Sequence, residues 1–151
     1  MRHTRPATIA VFAVVGLAVG FVLEVALASM GQPVLVPPIT LAITLAVVGA
    51  IVVALALPIR RAIRGASTSR IDPFRAMRVV VLAKASTLVG SLMAGFGAGV
   101  LVFLLSRPVV ADVGSLWPCV AAALSGLVLA VAGLVAERLC TLPPDEPDTE
   151  A

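Results

Sequence analysis

The sequence predicts an all-α integral membrane protein with four transmembrane helices and both termini cytoplasmic. Three observations carry this. First, the 151-residue chain is 60% hydrophobic and only 13% charged. Soluble domains carry about 25% charged residues, so this chain has too little polar surface to coat a soluble globule. Second, four apolar segments stand out, at 7–29, 39–59, 79–105 and 116–136. Each is about 20 residues or longer, enough for a helix to cross a hydrocarbon core of ~30 Å. Third, most of the arginines fall in one short loop between the second and third segments. Ala, Val, Leu and Gly dominate the segments without strict alternation. That pattern suits helices and not the ten-residue strands of an outer-membrane barrel.

Taken in order, the helices are expected at about 7–29, 38–59, 73–105 and 116–138. They form a single membrane domain over 1–140, followed by an acidic, proline-rich and disordered tail over 141–151. The first helix has a rival reading. "MRHTRP" is a basic leader and "ALA" at Ala26–Ala28 fits a signal-peptidase site, so residues 1–28 could be cleaved. Against cleavage, the apolar run is long for a signal peptide and Glu24 sits just before the site. Charge counting leaves the choice open, because the other three helices keep their orientation either way. Pro37 and Pro38 open the second helix, where a missing N–H costs little, and Pro58 lies near its end. Asp72 and Pro73 read as the N-cap and first-turn proline of the third helix. Trp117 and Pro118 mark the outer end of the fourth, since an indole prefers the interface. Glu137 and Arg138 mark its inner end.

Charge sets the orientation. Arg60, Arg61, Arg64, Arg70, Arg75 and Arg78 crowd one loop, which is therefore cytoplasmic. Arg2 and Arg5 fall on the same side, as two crossings require. The net charge of +3 is thus a topology signal and not a nucleic-acid patch. Arg60, Arg61, Arg64, Arg75 and Arg78 are the candidates for setting topology or for contacting anionic lipid headgroups.

The chain shows no catalytic, cofactor or metal constellation. Outside the tail its acidic residues are Glu24, Asp72, Asp112 and Glu137, spread over both faces. No pair is placed for general acid–base work, so it is not read as an enzyme. His3 is the only histidine and lies in the N-terminal tail. Cys119 and Cys140 sit on one helix, roughly 30 Å apart along its axis, which excludes a disulfide between them within the chain.

Lys84 is the residue that needs a reason. It lies six positions beyond Arg78, about 9 Å deeper. Its side chain points back toward the helix N-terminus and can snorkel to inner-leaflet phosphates. Alternatively, it is a buried amine contacting a partner helix or a bound anion. Glu24 is too near the outer interface to reach it, and Arg107 is the better neighbour for Glu24. Along the third helix Ser91, Gly95 and Gly99 follow Lys84 on one face. Gly90, Ala94 and Ala98 form a second small-residue stripe beside it. Gly16 and Gly20 in the first helix, and Ala122, Gly126 and Ala130 in the fourth, repeat the pattern. Small residues at this spacing let helix backbones approach closely in lipid. They serve packing within one bundle, or contact with another membrane protein or a second copy. Lys84, Ser91, Gly95 and Gly99 are therefore the candidate functional or partner-contact residues.

"DPFRAMRVVVLAKAS" followed by "GSLMAGFGAGVLVFLL", together with "PPIT" at Pro37–Thr40, resembles a family of small actinobacterial membrane proteins catalogued as domain of unknown function 3180. The resemblance implies a multi-pass plasma-membrane protein with four helices and no established activity. The expected function is accessory or scaffolding, through helix packing. A small-molecule or ion transporter is the alternative. Membrane lipids are the expected partners, with another membrane protein or a second copy beside them and no nucleic acid; no cofactor is expected.

Overall fold

The computed structural model describes residues 6–63, 73–106 and 113–140. These form four α-helices and no strand: α1 (Pro6–Ser29), α2 (Ile39–Ile63), α3 (Pro73–Ser106) and α4 (Val113–Cys140). Each contains a segment long and apolar enough to cross a membrane. α3, with 34 residues, measures about 51 Å at 1.5 Å per residue. It therefore extends well beyond the ~30 Å hydrocarbon thickness. Its apolar span begins at Met77, so the first turn projects outside.

The helices pack as a row in the order α1, α3, α4, α2. α1 lies along α3, α3 along α4 and α4 along α2, with a lighter contact between α2 and α3. Among the described residues α1 touches neither α2 nor α4. α3 and α4 thus form the centre, and α1 and α2 flank it. Residue pairing gives the directions. Gly16 faces Leu92 and Gly99 faces Leu17, so α1 and α3 run parallel. Gly126 faces Ala94 and Gly90 faces Ala130, so α3 and α4 run antiparallel.

Two helix boundaries differ from the expected ones by more than two residues, both near prolines. α2 continues through Pro58 to Ile63, past the predicted end at 59. α4 begins at Val113, ahead of the predicted start at 116, and carries Pro118 inside it. Proline removes one backbone hydrogen bond, and spanning helices tolerate this where neighbours or local adjustment satisfy the freed carbonyl. Pro118 is the sixth residue of α4, so the carbonyl it leaves without a helical donor is that of Gly114, in the first turn.

The α1–α2 connection is built by a glycine. Gly31 has φ 69°, a left-handed conformation that glycine adopts without Cβ strain. The Gln32 amide donates to the Leu27 carbonyl at 3.0 Å and the Gly31 amide to Ala28 at 3.2 Å. This is a Schellman closure of the helix end. It turns the chain back along α1, so that residues 32–38 descend beside the bundle before α2 starts.

The tail over 141–151, the leader over 1–5, and Arg64, Arg70, Asp72, Arg107 and Asp112 lie outside the described residues.

Candidate functional site

Three places hold the chemistry-bearing residues: the small-residue interfaces, the end around Glu24, called outer after the expected orientation, and the opposite end around Lys84 and Glu137, called inner.

The interfaces of α3 explain the small residues. A Cβ on Gly95 would run into the backbone of Ala13, and one on Gly99 into that of Leu17. From the other side, Gly16 and Gly20 press on the backbone of Leu92 and Phe96. Gly95 and Gly99 therefore pack on the Ala13–Leu17 stretch of α1 within the same chain, beside the Leu92 and Phe96 backbone that meets Gly16 and Gly20, and Ser91 on the same stripe is buried. The second stripe does the same with α4. Gly90 meets Gly126 and Ala130, Gly126 meets Met93 and Ala94, and Gly97 meets Ala123. Lipid gives no hydrophobic drive for helices to associate, so close backbone approach and dense van der Waals contact must hold them together. The buried hydroxyls are used locally. Thr87 Oγ1 donates to the Ala83 carbonyl at 3.1 Å and Ser86 to Leu82 at 2.9 Å. Ser91 donates to Leu88 at 2.8 Å and Ser125 to Ala122 at 3.0 Å. Each returns to its own helix, which satisfies the hydroxyl without an interhelical bond.

At the outer end the surprise is Glu24. It is 1% exposed and is among the largest fully buried side chains. Its Oε1 accepts a hydrogen bond from the Leu35 amide at 3.1 Å. The returning loop is thereby pinned to α1. Around it lies an apolar cluster of Val100, Phe103, Leu104 and Cys119, flanked by Phe21 and Ala28 of α1. The Phe21 and Phe103 rings meet edge to face at 6.0 Å, a favoured aromatic geometry. Sequence reasoning set Glu24 near the outer interface but missed its burial. The signal was in the spacing. Gly16, Gly20 and Glu24 recur every four residues, and these three are the buried residues of α1. Trp117, by contrast, is exposed at that end of α4.

At the inner end Lys84 is half-buried. The antiparallel pairing of α3 and α4 fixes its level. Gly126 sits against Ala94, Gly90 against Ala130, and Gly133 against Ala83 and Thr87. Continuing that register puts Lys84 level with Ala136 and Glu137. Glu137 is 4% exposed while Arg138 beside it is exposed. Lys84, Glu137 and Arg138 all engage other groups of the protein. Glu137, read in the sequence as an interface marker, is thus an interior residue of the α3–α4 seam. Of the basic candidates, Arg78 is exposed and Arg60 half-buried. Arg61 and Arg75 lie on α2 and α3, and Arg64 falls outside the described residues. Among the described residues no three His, Cys, Asp or Glu side chains cluster as a metal site would require.

This architecture sets the frame for comparison with known proteins. The family described as "Protein of unknown function (DUF3180)" matches residues 9–144. The chain belongs to this family. The match runs across all four helices and so takes in the whole row α1–α3–α4–α2. No curated protein and no solved structure matches the chain significantly.

Proposed function

We propose that this is an actinobacterial plasma-membrane protein with both termini cytoplasmic. It acts without catalysis or cofactor, as an accessory or scaffolding component that associates through helix packing. The observation that supports this is the contrast between sealed inner seams and a flank that is covered on one side only. Glycines seal α3 against α1 and α4, while α1 is held on one side only and buries just Gly16, Gly20 and Glu24. The rest of its surface, including Val14 and Val22 at 66% and 63% exposure, is free for lipid or for a partner helix. Because Gly95 and Gly99 already pack on α1 and Ser91 is buried, partner contact falls to the outer faces of α1 and α2. A transporter needs a polar path. The cavity between the returning loop, Met93, Phe96 and Ala122 is apolar, which favours the accessory reading.

The test has two parts. A photo-crosslinker at Val14 or Val22 in native membranes should give one discrete adduct with a membrane protein or a second copy. A reporter active only outside the membrane, fused to the C-terminus, should stay silent. A smear of lipid-only adducts would remove the scaffolding role, and an active reporter would invert the topology.

A further inference from the structure

The geometry points to a binding groove for one anionic phospholipid along α3, with the phosphate at Arg78 and an acyl chain running toward Met93 and Phe96. Because α1 and α2 do not touch, the strip of α3 between them is uncovered. At 100° per residue Arg78, Leu82, Ala85, Val89, Met93 and Phe96 fall within about 80° of arc. They make one straight stripe. Arg78, Leu82, Ala85 and Val89 are exposed, and Met93 and Phe96 half-buried.

The stripe has a cavity at each end. At the Arg78 end a cavity of about 520 Å³ is lined by Met77, Arg78, Val81, Leu82 and Ala85. At the other end a cavity of about 240 Å³ lies between Met93, Phe96 and the loop at Leu35 and Pro37. The loop that Glu24 pins closes the groove at that end. From Arg78 to Val89 is about 16 Å along the helix, close to half of the ~30 Å hydrocarbon core. The far cavity begins at Met93, about 22 Å from Arg78, so one leaflet's acyl chain lies along Leu82, Ala85 and Val89 and points at that cavity.

Charge complementarity selects the occupant. Among the described residues that line either cavity, Arg78 is the charged one. Ala56 of α2 and Val79 of α3 share one buried cluster. Arg60, one turn beyond Ala56 on the same face, therefore comes to the level of Arg75 and Arg78. Two guanidinium-bearing helix ends thus flank the groove mouth. Guanidinium suits a phosphate through paired N–H donors. A zwitterionic lipid would bring its own cation to the same place. That the lipid comes from the inner leaflet rests on the orientation proposed above; the groove itself does not.

The test uses the full chain in phosphatidylcholine vesicles containing a minor fraction of phosphatidylglycerol with a photoactivatable acyl chain. Labelling should concentrate at Val89–Met93 over the lipid-facing Val128 and Val131 of α4. Arg78→Gln should reduce it about fivefold, matching the ~1 kcal/mol an arginine contributes near an anionic surface. Val89→Trp should block it while the protein stays in the membrane. Phosphatidylcholine with the same photoactivatable chain should label weakly and ignore Arg78→Gln. Even labelling of all exposed faces, no effect of Arg78→Gln, or equal labelling by both lipids would overturn the proposal. If Val89→Trp fails to fold, the Arg78→Gln arm decides alone, since that side chain is exposed. The vesicles carry the probe in both leaflets, so an inverted topology would leave the labelling pattern unchanged.

Discussion

The α1–α3–α4 contacts and the α2–α4 contact solve the same problem differently. α3 meets its neighbours backbone to backbone, through glycines that leave no room for a Cβ. α2 meets α4 through side chains. At Gly49 an added Cβ would lie 3.4 Å from Ala132 Cβ and 3.6 Å from Leu129 Cδ1, ordinary contact distances. The inner cluster there is Val52, Ala56, Val79, Ala83 and Ala136, a conventional apolar packing. The difference teaches where sequence tolerance lies. One seam is fixed by backbone geometry, and the other by volume.

The strongest way to break this contrast is to enlarge a glycine in the backbone seam. Gly95→Leu or Gly126→Leu should destabilise the fold by about 3 kcal/mol or more, the upper range for overpacking. Thermal unfolding in lipid nanodiscs would read it as a large drop in Tm. Retention of wild-type Tm would mean that the helices separate without cost. The next effect is at the inner end of the same seam. Lys84→Leu should cost on the order of 1–3 kcal/mol, because it takes a donor from the level of buried Glu137. Adding Glu137→Gln should restore part of that loss. A neutral Lys84→Leu would show that the lysine only snorkels. At the outer end Glu24→Ala should cost about 1–2 kcal/mol by orphaning the Leu35 amide. Glu24→Gln should cost less, since the amide oxygen still accepts, and protease access to the 30–38 loop would report both. The smallest effect belongs to the side-chain seam. Gly49→Ala should change stability by about 0.5 kcal/mol or less, with a gain expected from its better helix propensity. A loss as large as that of Gly95→Leu would erase the distinction between the seams.

The fold class was legible because a spanning helix needs only length and apolarity, both visible in the four runs. The small-residue stripes were legible too, since spacing of four marks one helix face. What they would pair with was not. The spacing of Ser91, Gly95 and Gly99 favoured an internal seam but left an external one open. Only the placement of α1 along α3 decides it. Glu24 and Glu137 were misjudged for a shared reason. Depth along a helix can be counted from sequence, but direction relative to unseen neighbours cannot. A carboxylate near a helix end looks like an interface residue until its facing helix is known. Pro58 and Pro118 were read as markers of helix ends, yet α2 runs five residues past Pro58 and α4 starts five before Pro118, since a spanning helix tolerates proline.

The returning α1–α2 loop has a consequence for biosynthesis. During synthesis α1 leaves the ribosome first, but its packing partner α3 follows only after α2 is complete. α1 and α2 do not contact each other, so the early hairpin has no interhelical seam of its own. What it does have is the Leu35–Glu24 hydrogen bond, made by a residue only eleven positions after the glutamate. The carboxylate that would be most costly to leave exposed to lipid is therefore engaged by the next stretch of chain to emerge. The nascent hairpin can wait in the bilayer for α3 with its carboxyl group already tied to its own backbone.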